Sequence, residues 1–369
     1  MILSVTREKS YGRYNRKLYN QDQLVEDNAS INNHQSNIDY LHRHPVIIPH
    51  SLSETMTNLD VNVLAHLLHQ YPTAEEVFRL IICATNSSNS PVNKQTAYGY
   101  YQLEVSKRNE NTIYLLRYQE VLPLIMKIHH SSNDGLLHEY IMGIVLNQLR
   151  PMTSNFMYMY DYCRYQSQTA IFAEYIPGVP LTEFITTSSV DDFIAITMQI
   201  MYSLEIAQHR YRFVHNDLHA GNIIMTDRYP ESRVMTYHRP NGQSRKLTTR
   251  YTATIIDYDL VSLTVDGIRH GNSILNYNIT SRFNPLIDVN RFIHGVGFQA
   301  AKVNNRPLVE TVFQMWQLIY VEQDHSDFYE SLRDLVDYYY VIQSPVDDNP
   351  HLFTSFINRL EQRWNCTID

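Results

Sequence analysis

The feature that most constrains this chain is a short polar loop between a helix-forming segment and an apolar run. The stretch RFVHNDLHAGNIIM sets Asp217 and Asn222 in that loop, and apolar residues 223–225 follow it as a predicted strand. Further on, YTATIIDYDL ends a second apolar strand on Asp257. Upstream, VDDFIAITMQIMYSLEIAQH carries Phe193, Ile194, Ile200, Met201 and Leu204 on one helical stripe. Any fold for this chain has to deliver a long helix, a loop and two short strands in that order.

The rest of the chain gives the loop its setting. Residues 1–50 are polar, rich in Asn, Gln and Ser, and read as a loosely ordered extension. Residues 51–94 read as a helical lead-in: Leu59, Val61, Leu64, Leu67 and Leu68 have helical spacing, and Thr73 and Glu76 are spaced as a capping box. From residue 95 the character changes. YGYYQLEV, TIYLLRY and LPLIMKI are aromatic and branched runs of an antiparallel sheet. A helix is predicted over 134–149, then strands at FMYMYDY and TAIFAEY. After Pro177 and Gly178 the chain turns mainly helical, so 95–176 and 177–369 are predicted as two units. The expected fold class is α+β: a small antiparallel sheet lobe with one helix, then a larger helical lobe.

Composition narrows the partners. The 369 residues carry a net charge of −8, which gives no general basic field for nucleic acid. No apolar run approaches the roughly 20 residues of a membrane helix. The opening MILSVTREKSYGRYNRKLYN lacks the apolar core of a secretory signal. Cys83, Cys163 and Cys366 are too scattered for a disulfide framework or a zinc site. Together these predict an intracellular protein of a reducing compartment, the cytoplasm. The irregular spacing of His42, His44 and His50 reads as a loop, not a metal site. The sequence sets no oligomeric state.

Two carboxylates and an amide are what transfer of a γ-phosphoryl group asks of a protein. Asp217 can orient an acceptor hydroxyl and take its proton, while Asn222 and Asp257 can offer hard oxygens to magnesium. A buried-looking strand holds Lys127 behind Leu124, Ile125 and Met126, and a lysine there needs an anionic partner. The following helix supplies Glu139; Asp134, at the helix start, is better placed for the helix N-terminus.

These motifs resemble the protein-kinase superfamily, whose catalytic loop reads HRDLxxxN and whose metal motif reads DFG. Here the two are HNDLHAGN and DYD. The resemblance covers roughly residues 95–300 and implies ATP and Mg2+ (or Mn2+) as cofactors, a nucleotide-binding lobe over 95–176 and a catalytic lobe over 177–369. It implies that Lys127 holds phosphates and Glu139 holds Lys127. Backbone around Glu174, Tyr175 and Ile176 would meet adenine, with Ala173 guarding the rear of the pocket. Asp288, opening a later helix, would bond the catalytic-loop backbone. His219 stands where many serine/threonine kinases have lysine, and there it can donate to the γ-phosphate or pack in the loop.

Four departures stand out. No GxGxxG is present, so a phosphate cover would be built from residues 87–90 and Gly99. Asn216 replaces the arginine that, in many kinases, pairs with a phosphorylated activation loop, which speaks against control through that residue. Asp259 replaces the glycine of the metal motif and disfavours the positive-φ states of a flipping site, which predicts a fixed site. An insert over 226–250, with a hairpin turn at Asn241-Gly242, separates the two motifs. The insert, the HxDLHxGN loop and the DYx motif are similar to haspin-like kinases and to serine/threonine kinases of large DNA viruses. Three activities stay open at this point: a protein serine/threonine kinase, with a protein substrate as partner; a small-molecule kinase of the aminoglycoside or choline type; and a nucleotide-binding pseudokinase. The room between Asp257 and Asp288 favours the first, as a platform for a peptide.

Overall fold

The computed structural model describes residues 94–96, 99–108, 111–118, 122–129, 135–165, 168–227, 232–271, 283–319 and 351–364. The extension 1–50, the lead-in helices, residues 87–90 and the segment SDFYESLRDLVDYYYVI lie outside the described residues.

Six antiparallel strands come first: β1 (Lys94–Thr96), β2 (Gly99–Arg108), β3 (Asn111–Tyr118), β4 (Leu122–His129), β5 (Met159–Tyr165) and β6 (Gln168–Glu174). Their order in the sheet is β1-β2-β3-β4-β6-β5. Helix α1 (Gly135–Asn147) leaves the sheet after β4 and packs on β5 and β6. Gly143 allows that approach, because a Cβ there would lie 2.8 Å from the Cβ of Met159. The strand expected at FMYMYDY begins late. Residues 155–157 turn away from this sheet and pair elsewhere: Met157 N–H donates to Ile255 O at 3.0 Å and Ile255 N–H to Asn155 O at 2.7 Å. Phe156 and Met157 are thereby drawn into the central core.

Beyond Glu174 the chain forms β7 (Val179–Pro180), α2 (Leu181–Phe184) and the long α3 (Val190–Tyr211). Ser189 starts α3 by accepting the Asp192 N–H at 3.1 Å, and Arg212 ends it in a left-handed conformation with φ 45°. Phe193, Ile196, Ile200, Met201 and Leu204 make α3 the spine of the core. A three-stranded sheet of order β11-β8-β7 lies against it, built from β7, β8 (Ile223–Thr226) and β11 (Thr252–Ile255). Then come the hairpin β12 (Leu263–Val265) and β13 (Ile268–His270), and the helices α4 (Ile287–Lys302), α5 (Arg306–Gln317) and α6 (His351–Trp364). Helices and small antiparallel sheets together make an α+β architecture, compatible with the kinase-like fold that the resemblance implies. No helix among the described residues is long and apolar enough to cross a membrane.

The insert 226–250 contains the hairpin of β9 (Arg233–His238) and β10 (Ser244–Thr249). It turns through Pro240, Asn241 and Gly242, with Gly242 N–H donating to Arg239 O at 3.0 Å and Gly242 at φ 83°. Buried charge fastens it down. Arg239 donates to both oxygens of Glu205 on α3, at 2.7 and 2.9 Å, and to Glu361 on α6 at 3.2 Å. Arg245 adds a bond to Glu361 at 2.9 Å. Asn155 does the same with neutral groups, donating to Ala253 O at 2.6 Å and Gln199 Oε1 at 3.2 Å while accepting from the Tyr237 hydroxyl at 2.8 Å. The hairpin is therefore part of the core and not an appendage.

Removing Arg239 strands the Glu205 carboxylate in a site where water cannot replace the guanidinium. Arg239→Ala is expected to destabilise the fold by about 3–5 kcal/mol, read from urea unfolding. A loss below about 1 kcal/mol would mean that the cluster is merely decorative.

Candidate active site

Helix α4 begins with a carboxylate that shapes the polar loop. Asp288 is fully buried, and its two oxygens accept the N–H groups of His215 at 2.7 Å and Asn216 at 2.9 Å. Burial raises its pKa, while His215, the two N–H donors and Arg291 work against that rise. Asn216 takes φ 63°, a conformation that asparagine tolerates better than most residues. Its side chain donates to Leu260 O at 2.9 Å and to Ser262 Oγ at 3.2 Å. Val214 and Ser262 exchange backbone bonds, each of 2.8 Å. The loop is thus clamped between α4 and the segment that follows Asp257.

That clamp delivers Asp217 and Asn222 side by side. Asn222 Nδ2 donates to the Asp217 carbonyl at 3.0 Å and to Asp217 Oδ2 at 3.3 Å. The amide nitrogen is thus turned to Asp217, which leaves the amide oxygen as the atom able to ligate a cation. His219 lies with Nε2 3.5 Å from Asp217 Oδ2, and its Nδ1 accepts the Gly221 N–H at 3.0 Å. Burial disfavours charge on the ring, but the Asp217 and Asp257 carboxylates outweigh it and raise its pKa. The Gly221 N–H acts the other way, since Nδ1 accepts only in the neutral ring. Arg291, from α4, donates to the Asn216 carbonyl and sits 3.9 Å from Asp217 Oδ1.

Opposite this loop, β4 and α1 bring in Lys127 and Glu139. The Lys127 ammonium bonds Glu139 Oε2 at 2.7 Å and Asp257 Oδ1 at 2.9 Å. Its side chain is 13% exposed and that of Glu139 is 2%. Burial opposes the charge on Lys127, but Glu139, Asp257 and Asp259 more than offset it, so its pKa is raised. Burial likewise pulls Asp257 upward, and Lys127, with His215 and His219, brings it below its ordinary value. Lys127 draws Asp259 down as well, but is outweighed. Burial, with Asp257 and Glu139 near, pushes its carboxyl up to about 7.

Lys127, Glu139, Asp217, His219, Asn222 and Asp257 are therefore brought near one another: Lys127 bonds Glu139 and Asp257, Asp217 bonds Asn222 and His219, and the Ile256 N–H joins the two groups on the Asn222 carbonyl. The sequence also singled out the end of β6, the connection after it and Gly99. Glu174 closes β6, but its side chain turns to Arg150, at 3.3 Å, and to the Tyr158 N–H, at 3.2 Å; its own N–H donates to Tyr158 O. Tyr175 is half-buried and Ile176 buried in the connection to β7. Ala173 is buried, paired with Ile125 and Met159. Gly99 opens β2 opposite Thr96. Three contributors escaped the sequence reading: Arg291, Tyr258 and His138. Tyr258 is buried, and its hydroxyl bonds the carbonyls of Met157 at 2.9 Å and Ile255 at 3.1 Å. His138 Nε2 lies 2.9 Å from Val261 O, tying α1 to the segment after Asp257; burial lowers its pKa to about 4. The one available signal was position, since Tyr258 lies inside the metal motif and His138 beside Glu139.

No protein-family model matches the chain. It is 29% identical over 174 residues to a protein of Invertebrate iridescent virus 3 named a probable kinase, across 46% of this chain and 33% of that protein. It is 28% identical over 188 residues to a protein of Acanthamoeba polyphaga mimivirus provisionally named a serine/threonine-protein kinase, across 39% of this chain and 26% of that protein. The matches thus span about a third and about a quarter of the length of these curated relatives. The chain is related to proteins of large DNA viruses that are named as kinases.

Asp259 provides a test of the electrostatics. A carboxyl whose folded pKa is about 7 against an ordinary 3.8 binds its proton more tightly in the folded state. Stability therefore falls as pH rises through that window, and the full penalty stands above it. In metal-free protein, Asp259→Asn is expected to raise the melting temperature by roughly 2–4 °C at pH 8 and to leave it unchanged at pH 4. An equal shift at both pH values would contradict the assignment.

Proposed function

We propose that this chain is an ATP-dependent protein serine/threonine kinase with a two-lobed fold, the six-stranded sheet and α1 forming the smaller lobe. The observation that carries the reading is the Lys127 ammonium, bonded to Glu139 at 2.7 Å and to Asp257 at 2.9 Å. That triad registers strand, helix and metal motif against one another.

In this reading Glu139 orients Lys127, whose ammonium binds the phosphates of ATP. The backbone around Glu174, Tyr175 and Ile176 meets adenine, with its contacts falling to groups other than the Glu174 N–H. Gly99, in the β1–β2 hairpin, helps to cover the phosphates. The donor set fits magnesium or manganese: Lys127 occupies Oδ1 of Asp257 and Asp217 engages the amide nitrogen of Asn222, which leaves one carboxylate oxygen and one amide oxygen. Among the described residues no cluster of three or more acidic, His or Cys ligands is present. Magnesium held by one or two protein oxygens plus substrate phosphates does not need one. When bound, the ion neutralises charge building on the phosphoryl oxygens.

Asp217 aligns the acceptor hydroxyl and takes its proton as the new O–P bond forms. The bond from the γ-phosphorus to its bridging oxygen breaks, and ADP carries away that electron pair. His219 steadies Asp217 through Nε2 and can face the transferred group. The name borne by the mimivirus relative favours a protein hydroxyl over a sugar or choline.

Labelled ATP, magnesium and casein or histone provide the assay. Label is expected in the protein acceptor, and Asp217→Ala should lower the rate by on the order of a hundredfold or more in a protein that still melts cooperatively. Asp257→Ala should abolish the dependence on magnesium by removing turnover. Label entering only an aminoglycoside or choline would replace the acceptor class. Tight magnesium-ATP binding without any turnover would make the chain a nucleotide-binding pseudokinase.

A further inference from the structure

We infer that Arg291 is a positioning residue that locks the catalytic loop in its working shape, so that the site operates without an activating phosphorylation. The inference rests on the kinase reading above and concerns how that same site is regulated.

The residue before Asp217 is neutral. Asn216 offers no cation to a phosphorylated segment, and its side chain is already committed to Leu260 and Ser262. A guanidinium nevertheless reaches the loop, from the opposite side. Arg291 follows Asp288 by one helical turn, so both project from the same face of α4. Asp288 accepts the Asn216 N–H at 2.9 Å, and Arg291 donates to the Asn216 carbonyl. Both polar ends of residue 216 are thus held by one rigid helix. Rotation of the backbone there would break both bonds, in a setting where Arg291 is only 7% exposed and water cannot take over.

The same guanidinium lies 3.9 Å from Asp217 Oδ1. Positive charge beside the general base is therefore built in and does not wait for a modification. Residues 260–262, just after the metal motif, are held to the same loop through the Asn216 bonds and the paired backbones of Val214 and Ser262. His219, the other basic neighbour of Asp217, lies 3.5 Å from Oδ2, but an imidazole does not carry a permanent charge as a guanidinium does. Arg291 is the permanent charge at this place.

The test compares wild type, Arg291→Met and Arg291→Lys in magnesium-ATP-dependent phosphorylation of a protein acceptor, with melting curves for each. Arg291→Met is expected to lower kcat at least tenfold while the KM for ATP stays within about twofold, because Asp217 and the loop lose their alignment and the nucleotide contacts do not. Arg291→Lys, which keeps the charge but not the fork, should recover part of kcat at the same KM. Wild type treated with a broad-specificity phosphatase should keep its rate within about twofold. A wild-type kcat in Arg291→Met, a KM rise matching the fall in kcat, or loss of activity on phosphatase treatment would overturn the inference. Where Arg291→Met does not fold, Arg291→Lys decides: an intermediate kcat supports the inference and a wild-type kcat overturns it. Wild type inactive toward every acceptor would instead overturn the kinase reading itself.

Discussion

An ammonium group 13% exposed, with carboxylates at 2.7 and 2.9 Å, is the interaction on which the arrangement of this molecule turns. Lys127 has to stay charged where solvation is poor, and a single carboxylate would leave it under-compensated. Glu139 and Asp257 come from elements far apart in sequence, so meeting the charge means docking α1 beside the sheet and bringing the end of β11 up to β4. The packing obliges. Gly143 lets α1 close on Met159, His138 bonds the carbonyl of Val261, and Tyr258 ties the metal motif to residues 155–157. Each contact looks local, yet each fixes one corner of the same ion triad.

A second level of order surrounds the polar loop. Its backbone runs through buried surroundings without strand or helix partners, so its N–H and C=O groups need others. Asp288 and Arg291 serve them from α4, and Ser262 serves them from the other side. The buried charges of the insert act in the same way at a distance. Arg239 joins the β9–β10 hairpin to α3 and α6, and α3 is the helix that leads into the loop. A length of chain that interrupts the motif spacing is thereby made continuous with the scaffold that holds the motif.

What was legible in the sequence follows from what is local. The helical stripe of α3, the aromatic strands of the six-stranded sheet and the polar stretch HNDLHAGN carry their own period or composition, and each was readable without a partner in view. Lys127 with Glu139 was readable as well, because a lysine in an apolar strand demands an acid and the next helix offers one. Arg291 and Tyr258 were not. An arginine in α4 has the same local appearance whether it faces solvent or Asp217, and a tyrosine in place of phenylalanine shows nothing of where its hydroxyl points. The late start of β5 was hidden for a related reason. Residues 155–157 have strand character, and the tertiary pairing with Ile255 decided which sheet received it. Glu174 was singled out for its backbone, and the bond of its side chain to Arg150 had no local signal.

The backbone states the remaining constraint. Asn216 and Asp257, with φ of 63° and 69°, adopt a left-handed conformation beside the chemistry without being glycine, at a cost of about 1–3 kcal/mol each. Neither would hold that shape in an isolated loop. Asn216 is kept there by Asp288, Arg291, Leu260 and Ser262; Asp257 is kept there by Lys127 and by the Ile256 N–H on the Asn222 carbonyl at 3.0 Å. Asp259 is not among the positive-φ residues. The turn of the metal motif is therefore made at its first residue, and a side chain at its third brings no backbone strain. A glycine there would add freedom that this geometry does not use, whereas an aspartate adds a carboxylate beside the triad. The local strain, the missing glycine and the buried ammonium are in this sense one design: a cluster of polar groups whose shape persists only while the whole core stays packed around it.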